Sequence, residues 1–323
     1  MRWGVVSTVA EPPELLAAHA AHYVTMGVSE IRYYLDRSDP RINELLGRVP
    51  QVHLIGADEA FYTDIVGVRR KPAALNRKQR FNAEHAVRTM EVDWLLHVDA
   101  DEFLAAEEFA GLLSALPDDI DSLHIPNGER VWLRDAPVDT IFDGALLWQV
   151  PGPPRAARRL LGDELALFTD RGFCGHALGK SVTRTGRGLS LGLHGPRREP
   201  PARIAESREA KICHFDGLTR AHWCAKLMRY AAQGMYKDGS RAQSFRARQI
   251  AEVTEAGGDG AAALALHDKL RVLGPELADA LRQAGCLEPM PCDPARATAA
   301  LFGGSVDLRP EAFDRSVGLS SPD

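Results

Sequence analysis

Several features that define whole classes of protein are missing from this chain. No stretch approaches the roughly 20 uninterrupted apolar residues that a membrane-spanning helix needs. The first residues, Met1-Arg2-Trp3-Gly4-Val5-Val6-Ser7-Thr8, read as the start of a strand, with neither a long apolar run nor a cleavage-type ending. Cysteine is scarce: Cys174, Cys213, Cys224, Cys286 and Cys292 make an odd count of five without a CxxC pair. That pattern fits reduced thiols in a cytoplasmic protein better than a disulfide framework or a zinc ribbon. Contact with the inner membrane face stays open, through the C-terminal helices. Positive charge is also short. Against 44 Asp and Glu there are 39 Lys and Arg, a formal net charge of -5, which argues against a nucleic-acid partner. Internal repeats are absent, so a solenoid is excluded.

What is present is a regular alternation. The 323 residues, 45% of them hydrophobic, suffice for a large core. Val5 to Val9 reads as a strand, and Glu11-Pro12-Pro13-Glu14 then suits the first turn and positive end of a helix. Leu15, Leu16, Ala18, His19 and Tyr23 recur at helical spacing, with Gly27 as the stop. A strand at Ile31 to Leu35, a turn at Asp36 to Pro40, a short helix at Ile42 to Leu46 and a strand at Val52 to Ile55 follow. A helix is expected over Pro72 to Met90 and a buried strand over Trp94 to Val98. Such β-α-β-α order predicts an α/β fold with a mostly parallel central sheet flanked by helices. Ligands of such sheets sit beyond the carboxyl ends of the strands. Polar clusters fall at three of those ends: Ser7 to Glu11, Asp36 to Asp39, and Asp99 to Glu102.

Asp99 and Asp101 follow an apolar strand with one small residue between them. If the segment stays extended, their carboxylates point to one side and repel unless a cation lies beside them. A hard divalent ion takes oxygen ligands readily, and a bound diphosphate supplies the rest. Such an ion stabilises charge on a leaving diphosphate. Glu102 either orients a ligand or caps the next segment.

Beyond residue 109 the order changes. Ser122 to Pro126, Arg130 to Leu133, Lys180 to Arg184, Leu189 to Leu193 and Lys211 to Phe215 read as strands. Pro151-Gly152-Pro153-Pro154 with the basic run Arg155 to Arg159 reads as a loop or lid, and Arg197-Arg198 as a second basic loop. A helix presents Trp223, Leu227 and Tyr230 on one face, and an Ala-, Arg- and Leu-rich helical appendage follows from about Ser240.

Together these blocks resemble the GT-A glycosyltransferases, and in particular a family-2-like bacterial branch with a DxDEF motif. The resemblance runs from Val5 to about Tyr230. It takes in Glu11, His19, His22, Gly27-Val28, Asp36, Gln79, Asn82 and Asp93-Trp94-Leu95-Leu96-His97-Val98-Asp99-Ala100-Asp101-Glu102-Phe103. It continues through Gly179-Lys180-Ser181, Gly192-Leu193-His194-Gly195-Pro196, His214-Phe215, Trp223 and Lys226. The family's usual Asn-Glu pair after the first strand is Ala10-Glu11 here.

The resemblance implies a GT-A (Rossmann-like) catalytic domain over 1–238, its nucleotide-binding half about 1–110 and acceptor half about 111–238, with the appendage at 239–323. The reaction implied moves a sugar from a nucleotide-diphosphate donor, of the UDP-sugar kind, to a hydroxyl of a carbohydrate, glycolipid or protein, with inversion. The cofactor implied is Mn²⁺ or Mg²⁺. Glu11, Asp36, Lys78 and Gln79 are placed near the nucleotide, Asp99 near the ribose or the metal, and Asp101 on the metal. His214 offers a late histidine ligand, while His194 and Lys180 face the diphosphate. Inverting transfer needs a carboxylate base, and Glu129 and Asp216 are the candidates. Two other readings compete. A sugar nucleotidyltransferase would want a Gly-rich basic loop after the first strand, whereas Ser7 to Pro13 holds no glycine or lysine. A non-catalytic nucleotide- or carbohydrate-binding module on the same fold is the other.

Overall fold

The structure is a computed structural model, and it describes residues 1–196, 201–234, 244–257 and 260–319. Arg197-Arg198 lie outside the described residues. In chain order the first half reads β1 (Trp3–Val9), α1 (Pro13–Thr25), β2 (Glu30–Leu35), α2 (Pro40–Leu46), β3 (Val52–Gly56), α3 (Leu75–Thr89), β4 (Trp94–His97), β5 (Glu102–Ala105), α4 (Phe109–Ser114) and β6 (Ser122–Ile125). Then come β7 (Asn127–Leu133), β8 (Ala145–Leu147), α5 (Pro154–Phe168), β9 (Lys180–Arg184), β10 (Ile204–Glu206), β11 (Lys211–His214), α6 (Arg220–Ala232), α7 (Phe245–Glu255) and α8 (Gly260–Arg271). The chain closes with β12 (Val272–Leu273), α9 (Pro275–Gln283), β13 (Leu287–Pro289), α10 (Pro294–Phe302) and α11 (Pro310–Ser316).

Two compact units share these elements. Unit 1 is Met1–Asn127, Leu178–Ile212 and Cys292–Val306; unit 2 is Gly128–Ala177, Cys213–Pro291 and Asp307–Asp323. This division does not follow the 239–323 boundary expected for an appendage. Within unit 1, α10 packs on α1, the helix that follows the first strand. The helices α7, α8, α9 and α11 belong to unit 2.

Unit 1 is built on a seven-stranded sheet of order β10-β6-β9-β4-β1-β2-β3. β1 runs parallel to both β2 and β4, with Val9 beside Leu35 and Val6 beside His97, and β2 runs parallel to β3. β9 is antiparallel to β4 and β6, and β10 is parallel to β6. All seven residues of β1 are buried, as expected of a central parallel strand covered on both faces. One face packs Val6, Tyr34 and Leu95 against Phe61, Tyr62, Ala83 and Ala86. At Gly4 the packing is close: a Cβ would stand 2.6 Å from the Met90 methyl, the movable end of a flexible side chain, and 3.1 Å from the Glu30 carbonyl oxygen.

In unit 2, β8 pairs antiparallel with β7 and β13, and β12 lies parallel on β7. One apolar cluster gathers Val131, Leu147, Leu161, Phe173, Leu281 and Leu287, and a second packs Trp223 and Leu227 of α6 with Ile250, Leu266 and Leu270.

Two expected segments differ. Arg155 to Arg159 do not form a loop: Pro153 caps a helix with Pro154 in its first turn, where a missing N–H costs nothing. Ala157 and Leu161 bury one side of that helix, and Gly162 breaks it at φ 81°. Leu189 to Leu193 is no strand either, since Gly192 donates to the Gly195 carbonyl at 2.8 Å and Leu191 bridges only Pro196.

Candidate active site at the carboxyl edge of the sheet

The connection from β1 goes to β2 on one side, while β4 lies on the other, so the strand order reverses at the β1–β4 boundary. Open α/β sheets bind ligands in the crevice at such a switch point. Glu11 stands two residues past β1, and Asp99 two residues past β4. Asp36 follows β2 directly, its N–H donating to the Val9 carbonyl at 2.9 Å.

The Asp99–Glu102 segment is a hydrogen-bonded turn, not the extended continuation expected from the sequence. The Glu102 N–H donates to the Asp99 carbonyl at 3.1 Å, and the Asp99 N–H donates to Glu102 Oε2 at 2.8 Å. Glu102 therefore closes the turn with both its backbone and its side chain, and it is fully buried. The Ser7 hydroxyl donates to the Val98 carbonyl at 2.7 Å and ties the turn to β1.

Asp99 is held from two sides. The Gln79 amide of α3 donates to Oδ1, and the Lys180 ammonium donates to Oδ2 at 2.7 Å. Lys180 also meets Glu102 Oε2 at 2.9 Å, and only 2% of its side chain is exposed. Lys180, expected to face the diphosphate, is thus a buried counter-ion of the turn. Burial, the largest influence, would lower its pKa, but Asp99 and Glu102 outweigh that and hold it above the ordinary lysine range. Gly179 makes this placement possible. Its φ is +58°, and a Cβ there would fall 2.4 Å from the Ile125 carbonyl oxygen.

Four carboxyl groups gather at and beside the turn. They are those of Glu11, Asp99, Asp101 and Glu102, with Lys180 paired to two of them. Burial pushes the Glu11 carboxyl up to about 7, with the charges of Asp101 and Asp99 adding to it and the Ala10 N–H opposing it. Burial likewise pushes Glu102 up, against the pull of Lys180. Glu102 Oε1 is buried and accepts no hydrogen bond from any described residue.

Asp36 forms a second cluster. Lys78 donates to both of its oxygens at 2.8 Å, and Lys71 meets Oδ1 at 2.8 Å. Burial would raise its pKa, but the two lysines together carry it below the usual carboxylate range. Asp36 and Lys78, both expected near the nucleotide, are bonded to each other. Lys71 was missed. It belongs to a run of five cations within ten residues, Arg69, Arg70, Lys71, Arg77 and Lys78, which was the available signal.

His194 lies in unit 1, half-buried, with Nδ1 3.0 Å from the Gly179 carbonyl oxygen. Burial, then Lys180, lowers its pKa, so the ring is neutral near pH 7. His19 and His22 are core residues of α1, bonded to the Tyr33 hydroxyl and the Leu104 carbonyl, each at 2.7 Å.

The remaining candidates lie in unit 2. His214 stacks on His176 with ring centroids 5.4 Å apart. Glu129 is fully buried: Oε1 accepts the Gly175 N–H at 2.7 Å, and Oε2 accepts the Cys174 N–H at 2.9 Å and Arg271 at 2.8 Å. Asp216, 1% exposed, is gripped by Lys226 at 2.8 Å and Arg246 at 2.6 Å. Burial would raise its pKa, but Arg246 and Lys226 outweigh that and hold it well below the usual range. Both carboxylates, the two candidate bases, thus have each oxygen engaged by a cation or a backbone N–H.

Among the described residues, no group of three or more His, Cys, Asp or Glu side chains is arranged to hold a metal ion. An ion that arrives with a diphosphate asks less of the protein, one or two carboxylates, with phosphate oxygens and water completing the shell. The all-oxygen donor set of the turn and the orphaned Glu102 Oε1 fit that case.

No protein-family model matches the chain, and no curated protein matches it at a significant level. Solved structures that resemble it include TarS 1-349 of S. aureus, at TM-score 0.35 and 13% identity over 72% of this chain and 65% of that one. This chain thus spans just under two thirds of the TarS chain. A mycobacterial protein matches at TM-score 0.35 and 14% identity, over 71% of this chain and 74% of the other. The galactosyltransferase LgtC, in complex with donor and acceptor sugar analogs, matches at TM-score 0.28 and 10% identity, over 57% and 58%. Likenesses this weak assign no activity. The α/β architecture stands on the strand order itself.

Proposed function

We propose that the chain is a glycosyltransferase that moves a sugar from a nucleotide-diphosphate donor, of the UDP-sugar kind, to a hydroxyl acceptor with inversion. The observation that carries this reading is the gathering of Glu11, Asp99 and Asp101 just past the ends of β1 and β4, at the switch point of a parallel sheet. The resemblance of the DxDEF block supports it from the sequence side.

In this reading Asp101, with Asp99, holds a Mn²⁺ or Mg²⁺ ion that comes with the donor. The ion would neutralise charge developing on the leaving diphosphate. The chain's own residues prepare the place. Gln79 and Lys180 each fix one oxygen of Asp99, and Glu102 sets the turn that presents Asp101. Because Lys180 is buried and already paired, its charge holds the turn in shape with little reorganisation when substrate binds. Asp36, with Lys71 and Lys78, forms the neighbouring polar end of β2, where the nucleotide is placed. His214 stays a proposed further ligand. Polysaccharides, glycolipids and proteins are the acceptor classes, with peripheral contact at a membrane face included. No described helix is long and apolar enough to cross a membrane.

The test is release of nucleoside diphosphate from a panel of nucleotide sugars with Mn²⁺ or Mg²⁺, with and without added acceptor sugars. One donor class is expected to be consumed, and chelation is expected to stop the reaction. Saturable donor binding without release under every condition would replace this reading with that of a binding module.

A further inference from the structure

The segment leading from β3 into α3 carries Arg69, Arg70, Lys71, Arg77 and Lys78. Two of these cations are answered, since Lys71 and Lys78 both pair with Asp36. The other three are not. Arg69, Arg70 and Arg77 are exposed, and none forms an ion pair with a described residue. With Pro72, Ala73 and Ala74 they line a cavity of about 570 Å³ that has no carboxylate in its wall. The first turn of α3 opens on the same residues: Ala74 supplies no side-chain cap, and the turn contains no acid. Three guanidinium groups beside an uncapped positive helix end repel one another, and a bound anion turns that repulsion into attraction.

The chemistry of the anion follows from the donors. Each guanidinium offers five N–H groups in a planar fork that matches the spacing of phosphate oxygens. A single carboxylate has too few oxygens to occupy three forks, whereas a diphosphate has enough. The cavity volume falls within the range of small-molecule sites.

We propose that the cavity of Arg69, Arg70 and Arg77 is a binding site for a phosphate-type oxyanion, formed by residues other than those of the acidic turn. The phosphate belongs either to the donor nucleotide or to a phosphorylated acceptor. Only this choice of source rests on the glycosyltransferase reading; the site itself does not.

The probe is inorganic pyrophosphate, titrated calorimetrically into the whole chain in the presence of a chelator. Saturable binding is expected. It should weaken about tenfold or more in the triple variant Arg69→Gln/Arg70→Gln/Arg77→Gln, as loss of charge-assisted hydrogen bonds implies. Asp101→Ala should bind pyrophosphate like the wild type. If the triple variant loses its circular-dichroism spectrum, the three single variants decide, each with a smaller loss in the same direction. Competition assigns the source: displacement by UDP points to the donor, and displacement by glycerol 3-phosphate but not UDP points to the acceptor. Pyrophosphate binding in a chain that transfers no sugar keeps the site and discards the glycosyltransferase reading. No saturable binding, or equal affinity in wild type and folded variants, overturns the proposal.

Discussion

The two units treat their carboxylates in opposite ways. In unit 2, Glu129 and Asp216 are sealed from solvent, with every oxygen taken by arginine, lysine or backbone N–H. In unit 1, Glu11, Asp99 and Asp101 gather at a sheet edge, with the buried Lys180 on Asp99. The first arrangement is what a fold needs to bury charge at all, because a buried carboxylate without partners costs several kcal/mol. The second sets several carboxyl groups side by side, which is unfavourable for folding and would suit a cation–diphosphate pair. Residue type does not separate the two cases; the surroundings do.

The sharpest break of this comparison comes from one substitution in each set. Asp101→Ala is expected to lower transfer by about 10³-fold, the scale of removing a key electrostatic contact, with the urea midpoint nearly unchanged. Glu129→Gln should do the reverse. It leaves Arg271 buried without its carboxylate, so chemical denaturation should show a loss of about 3–5 kcal/mol, with transfer per folded molecule preserved. If Glu129→Gln removes activity and spares stability, the two sets have been assigned the wrong way round.

Lys180→Met sharpens the unit 1 side. It removes the ammonium that pairs with both Asp99 and Glu102, and a destabilisation of about 3 kcal/mol is expected together with weaker donor binding. Lys180→Arg keeps the charge but not the fit and should fall between. Equal donor affinity in Lys180→Met and wild type would show that the lysine does not position the turn.

Acid should weaken unit 1 through its buried histidines. Burial lowers His19 to about 3, and lowers His22 and His97 to about 4. These folded-state values lie below the ordinary value of about 6.5. The unfolded chain therefore binds protons that the folded one refuses, and the stabilisation present above pH 6.5 is lost as the pH falls toward 4. Urea midpoints measured from pH 7 to 4.5 should decline, by up to about 1.4 kcal/mol per pH unit for each histidine. A flat profile would mean that these rings are hydrated. The smallest effect is expected from Lys78→Ala, about 1 kcal/mol or less, because Lys71 remains on Asp36.

The parts legible in the sequence are those governed by local pattern. β1, β2 and β4 are short apolar runs bounded by polar turns, and the acids just past them fall on one sheet edge because the strands are parallel. What was illegible depends on distant partners. Arg271 meets Glu129 across 142 positions, and Lys180 meets Asp99 across 81. No spacing rule links such residues, so the sequence alone does not show that these carboxylates are ion-paired. Arg155 to Arg159 misled for a local reason. Prolines that read as loop residues also open helices, and only the burial of Ala157 and Leu161 decides between the two.

The central claim is that the Asp99–Asp101 turn binds a nucleotide sugar together with a divalent ion. Thermal unfolding in the presence of a nucleotide-sugar panel, with and without Mn²⁺, tests it most directly. The account predicts that one donor class raises the Tm only when the metal is present, and that Asp101→Ala abolishes this shift while Glu129→Gln retains it from a lower starting Tm. A shift of equal size in Asp101→Ala, or none with any donor, would contradict it.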